Sequence, residues 1–390
     1  MKKFALVLSG GGFKGAFQVG ALKYLKENWE AVNPGKPMKF DIIAGVSVGT
    51  LNGYMIAADR FDQLEKLWAD VGRNGVEEIY TSDFIDTKSK SEKLVTKIEV
   101  NQLLKRFLPN FSLSLSLWKG LELLFSKSKQ KKFLAETIEK AGAELGANLK
   151  HFKSLADNTP LKNKLATLVQ VNAVKDCIFK CGFVSLDDGQ YYSVKHNDFK
   201  TDADFQNGIL ASSAMPIIWE PVATIDTKDN RAKYAVDGGV RNVSPLSDVI
   251  DEINRDDSGA EYTIIIINCN NGNVSAGDFK DANIAKIALR SLTDITLAEI
   301  FNNDLKEFLR INDLLEQVEA VLPGTEIFNY SFQRRERSDR PLRTFKTMII
   351  QPDDDVLGDT LIATQSLIEK RIKHGREKAE DVLVEMLQPA

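Results

Sequence analysis

Residues 40–50 read Phe-Asp-Ile-Ile-Ala-Gly-Val-Ser-Val-Gly-Thr. The apolar run at the start predicts a short buried strand, and Leu51 to Ala58 predict a helix. Between them, Gly45-Val46-Ser47-Val48-Gly49 matches the G-x-S-x-G pattern, in which a serine occupies a sharp strand-to-helix turn. Gly45 and Gly49 keep that turn free of colliding side chains, and the helix directs its positive end towards developing negative charge. The stretch therefore predicts a nucleophilic serine, with a chance match in a loop as the alternative.

The residues before this turn continue the same pattern. Phe4 to Ser9 are almost all apolar and predict a first buried strand. A glycine-rich loop, Gly10 to Gly15, follows, and then an amphipathic helix from Ala16 to about Trp29. Strand, loop, helix, strand and helix in this order predict an α/β protein with a parallel central sheet.

The glycine-rich loop has three interpretations. Gly10, Gly12 and Gly15 match a dinucleotide-binding fingerprint, but the second strand ends in the serine turn and no acidic residue closes it. A phosphate-binding P-loop is excluded because no Gly-Lys-Ser/Thr follows. The interpretation that we favour is a set of backbone N–H donors beside Ser47, which is an oxyanion hole. A purely structural turn is the third possibility.

Composition sets broad limits. The chain has 390 residues, of which 43% are hydrophobic and 27% charged, as in an ordinary globular protein. Its net charge of -4 and pI of about 5.7 do not favour binding to nucleic acid. Three cysteines without a disulfide framework favour a reducing compartment. The apolar run at the N-terminus is too short for a signal peptide, and no apolar run is long enough to span a bilayer. We therefore expect a cytoplasmic protein, with peripheral membrane contact as an option.

The stretch 82–165 interrupts the parallel pattern and predicts a helical insertion. Within it, residues 111–132 combine large apolar side chains with a lysine cluster, a composition that suits a membrane interface. The alternative, which we slightly favour, is a helical cap packed on the core with a solvated charged face.

Further elements are predicted along the remainder of the chain. We expect strands at 165–174, 178–184, 191–194, 220–226, 233–236, 262–268 and 344–351, and helices at 204–213, 246–254, 284–315 and 359–387. Residues 59–71 predict a further, amphipathic helix with Leu64, Leu67 and Trp68 facing inward.

A serine nucleophile requires a base. The three histidines, His151, His196 and His374, all lie in polar or charged stretches and are expected at the surface. Asp237 is a better candidate because it closes a predicted strand, which places its side chain at the same carboxyl edge of the sheet as Ser47. Gly238 and Gly239 follow it, so nothing bulky stands beside it. An aspartate needs a pKa well above its ordinary value of about 3.9 to act near neutral pH. The alternative is a turn aspartate bonded to its own backbone.

Four blocks together resemble the patatin-like phospholipases. They are the Gly10–Gly15 loop, the Gly45–Gly49 turn, Ala211-Ser212-Ser213-Ala214-Met215-Pro216, and Asp237-Gly238-Gly239 followed by Asn242 and Pro245. They occur in the order of that family and cover about residues 1–270. The third residue of Asp-Gly-Gly, Gly239, replaces the alanine of Asp-Gly-Ala, which is a common variant.

The resemblance implies a three-layer α/β/α fold and a Ser47–Asp237 dyad without a catalytic histidine. It also implies an oxyanion hole formed by Gly10, Gly11, Gly12, Lys14 and Gly15, and a phospholipid or other acyl-ester lipid as substrate. We expect no metal or other cofactor and no nucleic-acid partner. Domain boundaries are expected at 1–270 for the catalytic domain and 271–390 for a mostly helical extension with one late strand, packed on the same domain.

Three other functions stay open from the sequence. One is an esterase or thioesterase with the same chemistry on soluble acyl groups. Another is a nucleotide-binding module that uses the Gly10–Gly15 loop, and the last is a lipid-binding scaffold without catalysis. The presence of both Ser47 and Asp237 argues against the scaffold.

Overall fold

The structure is a computed structural model, and it describes residues 1–92, 94–95, 153–274, 276, 279–280, 287, 290–331, 336–353 and 356–387. The stretch 111–132 and His151 lie outside these residues. The predictions made for both therefore stay predictions.

The central sheet begins with β1 (Lys2–Leu8), whose side chains alternate between two hydrophobic cores. Phe4, Leu6 and Leu8 belong to the core on one face, and Ala5 and Val7 to the core on the other. Successive side chains of a strand point to opposite faces, so a strand that is apolar throughout must be covered on both. This alternation confirms the predicted three-layer α/β/α arrangement.

Seven more strands complete that sheet, and two form a separate hairpin. The central ones are β2 (Ile42–Val46), β3 (Ile178–Ser185), β4 (Tyr191–Lys195), β5 (Val222–Asp226), β6 (Arg231–Asp237), β7 (Glu261–Ile267) and β10 (Lys346–Ile350), in the order β10-β7-β1-β2-β3-β6-β5 with β4 also paired to β3. The strands β10, β7, β1, β2 and β3 are parallel to one another. The strands β4 and β6 run antiparallel to β3. The sheet is therefore largely parallel, as predicted.

The described α-helices cover the two faces of the sheet. They are α1 (Ala16–Glu27), α2 (Trp29–Val32), α3 (Val48–Ala57), α4 (Phe61–Asn74), α5 (Thr159–Leu168), α6 (Asp202–Ser212), α7 (Leu246–Arg255), α8 (Leu297–Val321, after a π-helical segment Arg290–Thr296) and α9 (Gln365–Leu387). Apolar residues of α1, α3, α4, α6 and α9 pack into the first core. Apolar residues of α7 and α8 pack against the second.

One predicted strand is wrong. Residues 165–174 were expected to be extended, but the structure has the end of α5 and a short 3-10 turn, Val171–Ala173. Pro160 lies in the first turn of α5, a position that favours helix. Leu161 and Leu165, four residues apart, are both buried on one face of it.

The segment after residue 270 differs from the expectation of one late strand. It contains β8 (Phe328–Ser331) and β9 (Glu336–Pro341), paired as a hairpin, in addition to β10. The last helix begins at Gln365 and not near Asp359, so residues 357–362 form a loop. Because β10 pairs with β7 and α9 packs against α1, this segment is part of the layered structure.

Candidate active site

Ser47 occupies the turn between β2 and α3 in a strained backbone conformation. Its φ is 57° and its ψ is -129°, a combination that a residue with a side chain rarely adopts. Such a conformation costs about 1–3 kcal/mol and persists only where the surroundings enforce it. A Cβ at Gly45 would collide with the backbone of Gly49, and a Cβ at Gly49 would collide with the Leu8 carbonyl. Both glycines are thus required by close packing at the turn.

A hydrogen bond to Ser212, the last residue of α6, fixes the backbone of the turn. The Ser212 hydroxyl accepts a hydrogen bond from the N–H of Ser47 at 3.0 Å and lies 2.8 Å from the hydroxyl of Thr50. The block that contains Ser212 was noted in the sequence, but no role could be given to it there. The reason is that the contact joins residues 165 positions apart in the chain.

The carboxylate of Asp237 reaches the same place through the pairing of β3. Val46, at the end of β2, is opposite Gly182 of β3, while Asp237, at the end of β6, is opposite Phe183. The strand β4 occupies the other edge of β3 at these positions. The strands β2 and β6 therefore approach each other head-on along one edge of β3, and their carboxyl ends meet between residues 182 and 183.

This convergence corrects the reasoning made from the sequence. The sequence argument placed Ser47 and Asp237 at the same carboxyl edge of a parallel sheet. The two residues do come together, because the Ser47 side chain lies close enough to Asp237 to lower the pKa of its carboxyl. They do so because β6 is antiparallel to β3, and not because β2 and β6 run in the same direction.

Burial controls the electrostatics of Asp237. Only 5% of the residue is exposed, and desolvation raises the pKa of its carboxyl to about 7. Hydrogen bonds from the N–H of Gly239, at 2.7 Å, and from Ser47 oppose this rise without cancelling it. Among the described residues, no lysine or arginine forms an ion pair with Asp237. A pKa near neutrality is what a general base requires.

The glycine-rich loop lies against the serine turn. A Cβ on Gly10 would be 3.2 Å from the Cβ of Ser47. The N–H of Gly10 donates to Val243 at 3.0 Å, and the N–H of Lys14 donates to Gly11 at 3.1 Å, so neither is available to a substrate. Within the described part of the chain, the N–H groups of Gly11 and Gly12 have no hydrogen-bond acceptor.

The last two residues of this loop, Lys14 and Gly15, make other contacts. The ammonium of Lys14 donates to the side chain of Asn270 at 3.0 Å. A Cβ on Gly15 would collide with Val48 at the start of α3, so Gly15 permits close packing of the loop on the serine turn. The Asp237 side is similar, because a Cβ on Gly238 would be 2.5 Å from the carbonyl oxygen of Gly182.

An apolar cavity of about 130 Å³ opens beside Ser47. Its walls come from the glycine loop, α3, α4, α5, α6 and the loop 357–362, and include Ser47, Leu51, Met55, Leu64, Trp68, Leu161, Leu165, Met215, Trp219, Thr360 and Leu361. Leu64, Leu67 and Trp68 were predicted to face inward, and the structure shows that they face this cavity as well as the core. The segment 357–362 was not linked to the site by the sequence, and its residues from 359 onward were predicted to be helical.

The described histidines lie elsewhere. His374 was predicted at the surface, but it is buried on α9, where its ring packs on Phe17 and its Nε2 accepts from the N–H of Asp353 at 3.2 Å. That prediction is wrong because α9 packs closely on α1. His196 is half-buried, and its Nδ1 accepts from the N–H of Phe179 at 3.4 Å. Neither imidazole is bonded to Ser47.

The described residues contain no cluster of three or more histidine, cysteine, aspartate or glutamate side chains with metal-binding geometry. In the same residues, every helix is too short or too polar to span a bilayer.

Comparison with known proteins shows similarity to a protein family and to solved structures, of which two are described. A family model described as patatin-like phospholipase matches residues 6–250, a range that includes Ser47 and Asp237. VipD from Legionella pneumophila is similar in structure, with a TM-score of 0.36 and 13% identity, over 98% of this chain and 67% of that one. ExoU, crystallised with SpcU from the type III secretion system of Pseudomonas aeruginosa, gives a TM-score of 0.27 and 14% identity, over 98% of this chain and 59% of that one. No curated protein has significant sequence similarity to the chain.

Proposed function

The chain belongs to the patatin-like phospholipase family, and from this premise we propose that it is a serine lipid acyl hydrolase of the phospholipase A or lysophospholipase type. The observation that supports this most is the juxtaposition of Ser47 and the buried Asp237 carboxyl beside an apolar cavity. The apolar walls of this cavity suit a fatty acyl chain and offer little to a polar acyl group.

The proposed reaction has two halves. In the first, the Ser47 hydroxyl oxygen attacks the ester carbonyl carbon while the Asp237 carboxylate accepts its proton. The tetrahedral intermediate collapses, the proton passes from Asp237 to the departing alcohol, and an acyl-Ser47 ester remains. In the second, Asp237 takes a proton from water, the resulting hydroxide attacks the acyl carbon, and the fatty acid leaves as the proton returns to Ser47.

The negative charge of each tetrahedral intermediate needs donors. We propose the N–H groups of Gly11 and Gly12 for this role, because those of Gly10 and Lys14 are already bonded to carbonyls. The positive end of α3 adds to the stabilisation. Loss of one donor in such a site typically lowers kcat by about 10²–10³.

Substitution of the nucleophile tests this proposal. Ser47→Ala should remove hydrolysis of phospholipid and labelling by a fluorophosphonate, because no other group forms the acyl ester. A lipid panel with product analysis by mass spectrometry gives the acyl position. Ser185→Ala is the matched control, since Ser185 is equally buried but donates to the Lys233 carbonyl away from the cavity. Ser185→Ala should keep its activity, and activity retained in Ser47→Ala would overturn the assignment.

A soluble esterase or thioesterase shares the dyad and differs in its substrate. Comparison of dispersed and aggregated esters of the same acid separates the two, since a lipid hydrolase should be faster on the aggregate. For the nucleotide-binding alternative, titration with NAD or ATP should raise the melting temperature. We expect no shift, because the loop packs against Ser47 and the end of β2 carries the serine turn.

A further inference from the structure

Arg371 of α9 is fully buried, with 0% of its surface exposed, and it binds one loop. Its Nε donates to the carbonyl of Leu357 at 2.7 Å, its Nη1 to Ile362 at 2.8 Å and its Nη2 to Asp359 at 2.6 Å. All three acceptors are main-chain oxygens in the loop 357–362. A guanidinium offers donors in a fixed planar fork, so these bonds hold three points of the loop at once.

The opposite side of this loop contacts the glycine-rich loop. The carbonyl of Thr360 accepts a hydrogen bond from the N–H of Phe13 at 2.9 Å. A Cβ on Gly12 would be 2.5 Å from the same oxygen, so the two backbones are in close contact there. Thr360 and Leu361 also line the cavity beside Ser47. Any displacement of Thr360 would therefore move the N–H groups of Gly11 and Gly12.

We infer that Arg371 is a positioning residue for the oxyanion donors, which it holds in place through the loop 357–362. The inference rests on the proposed function. It also gives a role to a segment that lies beyond residue 250, where the family match ends. The alternative is that Arg371 stabilises the fold alone and has no influence on the site.

Tyr80 supplies an independent hold on the same loop. Its hydroxyl donates to the Leu361 carbonyl at 3.0 Å, and its ring packs against Trp219 and Phe13. Tyr80→Phe removes this single bond and keeps the ring. It is therefore a milder perturbation of the loop than any change at Arg371.

The experiment compares four variants with the wild-type protein. Arg371→Lys keeps the charge but cannot reach three separated carbonyls, and Arg371→Met removes both charge and donors. Tyr80→Phe is the conservative variant. Leu383→Ala is the control, because Leu383 is a buried residue of the same helix that lies about 18 Å further along the axis than Arg371. For each, kcat and KM on one phospholipid, the rate of fluorophosphonate labelling and the melting temperature are measured.

We expect kcat and the labelling rate to fall together, by about 10- to 100-fold for Arg371→Lys and by a few fold for Tyr80→Phe. This is less than the factor of about 10²–10³ for outright loss of a donor. KM should stay within about twofold, because the cavity walls that hold the chain remain. Leu383→Ala should lower the melting temperature and leave kcat unchanged. If Arg371→Met does not fold, Arg371→Lys and Tyr80→Phe decide the question.

Two further readouts separate this inference from the proposed function. Failure of the wild-type protein to react with the fluorophosphonate would refute the proposed function. Hydrogen exchange at residues 10–15, measured by mass spectrometry, then still tests the contact, since it should accelerate in Arg371→Lys more than in Leu383→Ala. Folded Arg371→Lys and Tyr80→Phe with wild-type kcat, or with a change in KM alone, would overturn the positioning role.

Discussion

Asp237 and Glu252 are both buried carboxylates, and they lie on opposite sides of β3. Asp237 has no cationic partner among the described residues, and its pKa is raised to about 7 by burial. The side chain of Glu252 on α7 is 1% exposed, and it is bonded to Lys195 at 2.8 Å, to Lys180 at 3.3 Å and to Arg255. Burial alone would raise the pKa of Glu252, but these three cations outweigh it and the pKa lies below the ordinary value.

The difference shows how the same carboxylate chemistry serves two purposes. A buried carboxylate with cations around it stays ionised and contributes to stability only as part of the cluster. One without cations holds its proton up to neutral pH, which is unfavourable for stability and useful to a base. The expected effects of substitution are therefore opposite at the two positions.

Catalytic rate should give the largest contrast. Asp237→Asn keeps the shape and the bond from Gly239 but removes the proton acceptor, so kcat/KM on a phospholipid should fall by about 10²–10⁴-fold. Glu252→Gln, which lies away from the cavity, should stay within a few fold of the wild-type protein. Steady-state kinetics on both variants measure this. A similar loss in both, or near-normal rates in Asp237→Asn, would exclude Asp237 as the base.

The free energy of unfolding should rise in Asp237→Asn and fall in Glu252→Gln. The pKa of Asp237 is about 7 in the folded protein, whereas the ordinary value for an aspartate is 3.8. Ionisation of Asp237 therefore opposes folding as the pH rises through this range. At pH 8 this amounts to about 4 kcal/mol, and Asp237→Asn should recover part of it. Glu252→Gln should lower the free energy of unfolding by about 3 kcal/mol, because it leaves the Lys180 charge buried with fewer partners.

Urea unfolding at pH 8 measures both stability changes. Glu220→Gln is the control, since Glu220 pairs with Lys153 at the surface, where such a pair contributes less than about 1 kcal/mol. Destabilisation by Asp237→Asn as large as that by Glu252→Gln would contradict the contrast. At acid pH the signs also differ. The contribution of Glu252 is present above its ordinary pKa and is lost as pH falls through the folded value, whereas Asp237 becomes more favourable as it protonates.

The pH dependence of activity gives the smallest but most specific effect. Asp237 accepts a proton only when it is ionised, so kcat/KM should rise with pH and level off above about 7. Below that value it should fall by about tenfold for each pH unit. Glu252→Gln should not move the midpoint. A midpoint near 4 would mean that Asp237 titrates like an exposed carboxylate and is not the base.

Local features of the site were predictable because the causes are local. Gly45 and Gly49 are required by the turn at Ser47, and the glycine loop follows its strand directly. The strand-helix order therefore predicted the largely parallel sheet. His374 shows the limit, since its charged neighbours suggested a surface and the contact between α9 and α1 buried it.

The cavity could be predicted from the sequence only in part. Periodicity predicted that Leu64 and Trp68 face inward, but it does not distinguish a packed core from a space that is left open for a ligand. That distinction depends on how α4 and α5 are spaced. The strand predicted at 165–174 was wrong, so one wall of the cavity was not foreseen at all.

The sequence by itself determined the serine turn, the glycine loop and an aspartate at a strand end, because each depends on residues within one turn of the chain. The tertiary structure alone decided that β2 and β6 meet head-on along β3, which brings Ser47 to Asp237. It also decided that Asp237 has no cationic partner in the described part of the chain and that Arg371 reaches the loop 357–362. Strand pairing, desolvation and buried hydrogen bonds join residues far apart in the chain, and no local pattern records them.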